Sequence, residues 1–387
     1  MGFTGLLLLF LLAGEEEVAP PPFVWNQLQG NAARDNYRTR ADGIVWPKVA
    51  WRVPGLRGQP TYDGRFVYAG GDRLARVDAR SGEVIHALGG TVYGEAPVIG
   101  ERVLIARRAD GSVVAYSLDL QRELWRHAGP KASSTKLTGA LSGRTYVFAA
   151  GKIVRALDAR NGKLFWEWSA GDAKVRCNPA IADGRVFVGD DDDRLTALDL
   201  KTGREVWNRH PGSPSAWTHP AVLGGHVVVA LHGGTLLSLD PKDGRTRWVS
   251  RFGSDLIGTP GRGPGRLVVA NRRLAKQLDL ETGRPLEPVI HARITVSPTL
   301  VGKTIYFGNF NGQLCAHDAK TGVLLWKFEV PGYQPTPMRP VRHRVHDFVH
   351  TGSQIFVATS NGLYCLVQDP EKRGKRPSGT TISTKDG

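Results

Sequence analysis

Cysteine is scarce in this chain of 387 residues, and its three copies, Cys177, Cys315 and Cys365, lie far apart. That number and spacing exclude a disulfide framework, and the lack of any Cys-x-x-Cys excludes the matching zinc and redox sites. All three read as packing residues. Long apolar runs are missing too: the most apolar stretch, Gly-Leu-Leu-Leu-Leu-Phe-Leu-Leu at residues 5–12, is too short to span a bilayer. Gly151-Lys152 and Gly162-Lys163 lack the upstream glycines of a phosphate-binding loop. There is no Gly-x-Ser-x-Gly elbow and no His-Glu-x-x-His, which removes the hydrolase and zincin classes that rely on them. Neither Gly-His…Trp-Asp pairs nor Kelch-spaced Gly-Gly turns recur.

The composition, 41% hydrophobic and 22% charged, is that of a folded soluble protein, with a formal net charge of +15. The positive charge is spread through the chain as Arg, with concentrations at Arg339, Arg342 and Arg344 and at Lys372, Arg373, Lys375 and Arg376. Such a balance suits an anionic surface as partner. No nucleic-acid-binding fold accompanies it, so nucleic acid is not expected. Residues 1–14 resemble a short export signal without a basic n-region, and the acidic and proline-rich residues 15–24 read as a linker. The expectation is an exported, monomeric protein of the periplasm or cell envelope, with no transmembrane span.

What is abundant is a repeat. Asp-x-x-x-Gly-x-x-x-Trp recurs about every forty residues, a period that marks a β-propeller. Full copies are Asp158-Gly162-Trp166, Asp199-Gly203-Trp207, Asp240-Gly244-Trp248 and Asp318-Gly322-Trp326. Asp78-Gly82 and Asp279-Gly283 lack the Trp, having Ile85-His86 and Pro285-Leu286 at its place. Copy two has Asp119 and Trp125 without the Gly. Trp125, Trp166, Trp207 and Trp248 fall at a constant interval of 41.

The spacing has a mechanism. The Asp side chain accepts N–H groups within its turn, and the Gly supplies a positive φ. The Trp then falls where it can fill the gap between neighbouring blades. Around the turn, short runs such as Ala180–Ala182, Arg185–Gly189, Leu195–Asp199 and Glu205–Trp207 read as four strands per copy. An eighth, degenerate copy starts near Thr336-Pro337 and lacks a fourth strand. Val49-Ala-Trp51-Arg-Val53 is the natural replacement, closing the ring and removing its open edges. The reading is an all-β, eight-bladed propeller over residues 25–368, followed by a basic disordered tail at 369–387.

Leu198-Asp199-Leu-Lys-Thr202-Gly203-Arg-Glu-Val-Trp207 and the opening Trp25-Asn-Gln-Leu-Gln-Gly30-Asn31 resemble the pyrroloquinoline-quinone (PQQ) repeat family of propellers. The resemblance implies one of two roles. The first is a non-catalytic scaffold like the BamB-type outer-membrane assembly proteins, without cofactor and with a protein partner in the envelope. The second is a quinoprotein dehydrogenase oxidising alcohols or sugars with PQQ and Ca²⁺. Dehydrogenases of the family are mostly longer, and many stack the quinone under a vicinal disulfide, which no Cys-Cys pair here can form. The scaffold is therefore the favoured expectation.

Candidate residues follow from the blade pattern. The channel mouth should be lined by Gln59, Glu95, Arg176, Cys177, Asn178, Trp217, His219, Thr259, Arg293, Ser297 and Thr336. A quinone anion would need an aromatic face and guanidinium groups, hence Trp217, Arg176 and Arg293, with Glu95 as the base of the dehydrogenase alternative. Asp190–Asp193 read as a solvated acidic turn, since EF-hand spacing and its distal Glu are absent. Arg339, Arg342, His343, Arg344, His346 and His350 read as one basic loop and as candidates for partner contact. No metal is expected there, because the arginines oppose a cation.

Overall fold

The computed structural model describes residues 44–89, 96–129, 137–210, 219–330, 344–372 and 380–382, with Asn31 alone ahead of them. The strands fall into eight sheets, six of them four antiparallel strands in consecutive order. Blade 4 illustrates the match to the sequence pattern: Ala180–Ala182, Arg185–Gly189, Leu195–Asp199 and Glu205–Arg209. The first strands of successive blades touch one another, which places them around the axis and the fourth strands on the rim. Apolar residues from facing sheets form the cores between blades.

The eighth blade is assembled from both ends of the described chain. Val345–His350, Gln354–Thr359 and Gly362–Gln368 supply three strands, and Pro47–Val53 supplies the fourth. Pro47 pairs with Gln368, Trp51 with Cys365 and Val53 with Leu363. Closure by the Val-Ala-Trp segment is thus as the sequence implied.

The Asp turns work as their chemistry requires. One carboxylate oxygen of Asp199 accepts Lys201 N–H (3.1 Å), Thr202 N–H (2.8 Å) and the Thr202 hydroxyl (2.8 Å). Asp78 with Ser81 and Asp318 with Thr321 repeat this. Hydrogen bonds from Ser81, Thr202 and Thr282 hold the carboxyls of Asp78, Asp199 and Asp279 below the ordinary aspartate range. Burial alone would raise the Asp158 carboxyl, but its ion pair with Arg144 outweighs that and leaves it lowered.

At five seams the indole docks on the turn of the following blade. Its Nε1–H donates to the carbonyl just after the next blade's Asp: Trp51 to Ala79 (3.0 Å), Trp125 to Ala159 (2.9 Å), Trp166 to Leu200 (2.9 Å), Trp207 to Pro241 (3.0 Å) and Trp248 to Leu280 (2.9 Å). The turn glycine lies against the same ring. Gly203 has φ +70°, and a Cβ there would sit 2.5 Å from Cδ2 of Trp166. Glycine is therefore demanded twice, by backbone conformation and by the indole.

Blades without the motif use substitutes. Blade 6 has Leu286 at the Trp position, and Gln277 stands where the Trp-bearing blades mostly carry Ala. The Gln277 amide donates to Ala319 O at 2.6 Å, taking the place of the indole N–H. At the seam of blades 1 and 2 both the Trp and the Gly are missing. Tyr68 donates to Leu118 O at 2.9 Å, and Leu120, at φ 62°, is fully buried in the gap. Strand pairing also corrects the register of copy two. Tyr116 pairs with Glu123 as Leu157 pairs with Leu164, so Ser117 rather than Asp119 holds the turn's Asp position. The Ser117 hydroxyl hydrogen-bonds the Asp119 carboxylate instead.

Two further expectations are corrected. Residues 345–350 are not part of a loop but the innermost strand of blade 8, because they complete a sheet whose other strands are already in place. The tail is not wholly irregular. Pro370–Lys372 form a 3₁₀ turn with the Lys372 ammonium 5.3 Å from the Trp46 ring centroid. Thr380–Ile382 pair in parallel with Trp326–Phe328 as a fifth strand on blade 7, where an open rim edge offers backbone partners.

Candidate functional site

The residues immediately before or at the start of the innermost strands form a ring that is polar in every blade but the second. By strand register the equivalent positions are Gln59, Ala96, Thr138, Asn178, His219, Thr259, Ser297 and Asp347. Their hydrogen bonds run from blade to blade. Thr138 N–H donates to Asn178 Oδ1 (2.7 Å), Asn178 N–H to His219 Nδ1 (3.0 Å) and Thr259 N–H to Ser297 Oγ (3.2 Å). Gln59 donates its amide to the Asp347 carboxylate and clasps blade 1 to blade 8. An acceptor Nδ1 requires the neutral His219 tautomer protonated at Nε2. Arg107, buried at the end of a blade 2 strand, adds a bond to Leu137 O (2.8 Å) and one to Ala149 O (3.1 Å) in blade 3. Gln59, Asn178, His219, Thr259 and Ser297, expected at the mouth, thus tie adjacent blades together.

Asp347 is the member that the sequence pattern missed, since its strand was read as loop. Counting back from the Thr351-Gly352 turn in the register of the other blades would have found it. It sits beside a β-bulge, accepts its neighbour Phe348 N–H at 2.7 Å, and burial pushes its carboxyl up to about 7. The sign of the consequence is fixed. An unfolded aspartate near pKa 3.9 ionises first, so stability is fullest below that pH and falls as pH rises toward 7. Asp347→Asn is expected to leave stability near pH 4 almost unchanged and to raise it by about 1–3 kcal/mol at pH 8, after discount for residual solvent access. Urea midpoints at the two pH values check this; equal effects at both would remove Asp347 as the titrating group.

The two described dehydrogenase candidates, Arg176 and Arg293, do not converge. Glu95 and Trp217 lie outside the described residues, as do Thr336, Arg339, Arg342 and His343. Arg176 is exposed and paired with Asp191 at 2.9 Å in its own blade. Arg293, three blades away, lies over Phe310 with its Cζ 5.0 Å from the ring centroid. Cys177 is buried and accepts Gly189 N–H at 2.8 Å. The acidic turn is held by cations of the protein itself. Arg194 pairs with Asp190 (3.1 Å) and Asp192 (3.2 Å), and Asp191 accepts Lys174 N–H and the Arg176 guanidinium. Among the described residues no three His, Cys, Asp or Glu side chains gather as a metal-ligand set. The described side chains do not fit a quinone carboxylate with its calcium.

The histidines also part. His350 is fully buried, its ring 5.0 Å from that of Tyr306, so it is removed from any surface contact. Exposed His346 bonds Arg57 O (3.0 Å) and Ser360 Oγ (3.1 Å), and Arg344 N–H meets the same hydroxyl at 2.9 Å. Beside them a cavity of about 540 Å³ opens at the seam of blades 8 and 1, lined by Pro54, Arg57, Asp72, Arg73, Ser360 and Asn361. A second, of about 710 Å³, lies between blades 2 and 3 with Arg102, Leu124, Arg144 and Arg160 on its walls.

Ring closure, docked indoles and Asp turns together define an eight-bladed propeller of the PQQ-repeat class. The family description "Outer membrane protein assembly factor BamB" matches overlapping stretches 36–169, 109–271 and 150–384, and the chain belongs to this family. Solved structures share the fold. BamB from Moraxella catarrhalis is 17% identical with a TM-score of 0.66, over 84% of this chain and 98% of that one. Quinohemoprotein alcohol dehydrogenase from Comamonas testosteroni is 12% identical with a TM-score of 0.71, over 94% and 83%. A europium-containing methanol dehydrogenase is 12% identical with a TM-score of 0.70, over 89% and 98%. Both branches are matched along most of their lengths, so ring size does not divide them. No curated protein matches the chain in sequence. No helix among the described residues is long and apolar enough to cross a membrane.

Proposed function

We propose that this protein is an exported, non-catalytic scaffold of the cell envelope, which binds a protein partner through the loops of its propeller. The observation that carries the reading is the polar ring. Asn178, His219 and Ser297, expected to line the mouth, instead accept blade-to-blade hydrogen bonds, and Arg176 is tied to Asp191. What remains for recognition is the loop surface. The BamB family match supports the same role.

Saturation with PQQ and Ca²⁺ followed by dye-linked oxidation of alcohols and sugars is expected to give no turnover and no quinone absorbance. Turnover lost in Arg176→Ala would replace the scaffold with the dehydrogenase. In-cell cross-linking of the intact envelope is expected to give a discrete adduct with one protein; its absence at native abundance would count against a scaffold.

A further inference from the structure

Four blades share a small structural device on the face where innermost strands are entered. The segment leading into the first strand makes a single bridge to the turn between the second and third strands. The bridged pairs are Leu56–Gly71, Val175–Asp190, Leu256–Asn271 and Ile294–Asn309. The bridge fixes which side chains meet. In blades 1 and 4 the residues after the bridged pair form equivalent ion pairs, Arg57–Asp72 at 3.3 Å and Arg176–Asp191 at 2.9 Å. Cation and carboxylate cancel there.

In blades 6 and 7 the carboxylate position is held by Arg272 and by Phe310. Arg293 precedes the bridge of blade 7, and its carbonyl accepts Phe310 N–H at 2.8 Å, which locks the two residues side by side. The guanidinium carbons of Arg293 and Arg272 lie 5.0 and 5.9 Å from the Phe310 ring centroid. Arg273 follows Arg272 in the same exposed turn, its N–H held by Asn271 Oδ1 at 2.8 Å. No carboxylate among the described residues pairs with these three arginines. Asp255, the acidic residue on the neighbouring connection, accepts Gly233 N–H at 2.7 Å. The result is two guanidinium groups, those of Arg272 and Arg293, beside one half-buried phenyl ring, with Arg273 in the adjoining exposed turn and no carboxylate among the described residues paired with any of the three.

We infer that the seam of blades 6 and 7 binds an acidic peptide segment of the protein partner, Asp or Glu side chains on Arg272, Arg273 and Arg293 and an apolar side chain on Phe310. Guanidinium forks match carboxylates bidentately, and an aromatic flanked by arginines supplies the desolvated anchor that interface hot spots require. The site rests on the scaffold reading above and names its partner's chemistry.

The test uses the full chain and a fluorescein-labelled peptide of alternating Glu and Phe, read by anisotropy, with a Gln-for-Glu peptide as control. Arg272→Glu/Arg293→Glu is expected to weaken binding by at least about tenfold and Phe310→Ala by several-fold, with unchanged melting temperature. Lys163→Glu/Lys303→Glu makes the same change in net charge on exposed turns of the opposite face and should stay within about twofold of the parent. Equal losses in both double variants would mean that the peptide senses overall charge, and would overturn the site. Equal binding of the Gln peptide would do the same. So would phosphatidylglycerol vesicles held through Arg272 and Arg293 while the peptide is not, which would assign the patch to a membrane surface. Quinone turnover would remove the scaffold reading without altering any of these measurements.

Discussion

A chain without Pro47–Val53 is expected to lose the single cooperative unfolding transition of the ring. That strand pairs along Leu363–Gln368, and its removal opens the backbone edge of a strand whose residues 362–366 are buried. Trp51 would go with it. Its ring stacks on Phe356 at 5.8 Å, covers Gly82, and donates to Ala79 O, so the loss uncouples blade 8 from blade 1 as well as from the N-terminal segment. An open sheet edge also recruits other chains. The expected result is a broad, low-m urea transition and concentration-dependent oligomers on size exclusion. A monomer with the parent's m-value would show that the ring does not depend on its closing strand.

Trp326→Ala is expected to cost about 3–5 kcal/mol, the range for emptying a large buried aromatic site. Among the docked indoles it alone is fully buried, and it meets a different partner. Blade 8 has no Asp turn of its own, because its outer strand comes from the other end of the chain. Trp326 donates instead to Ile44 O at 2.6 Å, just ahead of the closing strand, and packs 5.8 Å from Tyr306. Trp326→Phe should keep most of the buried area and lose about 1–2 kcal/mol for the unpaired carbonyl. Chemical denaturation of both variants separates the two contributions. A loss below about 1 kcal/mol for the alanine variant would mean that the seam of blades 7 and 8 is not held by this residue.

Legibility differed by residue. Asp199, Gly203 and Trp166 could be read because each is fixed by local rules: an acceptor for turn N–H groups, a positive φ, a ring too large to leave in water. Gln277 and Leu120 could not. Each is an ordinary residue that gains its role only because the seam lacks an indole, a fact located on the paired strand for Gln277 and in the neighbouring blade for Leu120. The basic cluster of blades 6 and 7 was half legible. Arg293 stood out as a cation near the mouth, but its association with Arg272 and Phe310 depends on a bridge between segments that no spacing reveals.

By itself the sequence determined the repeat, the number of blades and the strand that shuts the ring, since period, turn chemistry and amphipathic runs are properties of short segments. Tertiary structure alone decided what the polar residues at the mouth are for, that Val345–His350 is strand with Asp347 in the ring, and that Thr380–Ile382 settles on the rim of blade 7. The reason is physical. A strand without a strong pattern of its own takes its place from the edge left open to it, and a polar side chain takes its partner from the next blade; both are set by closure.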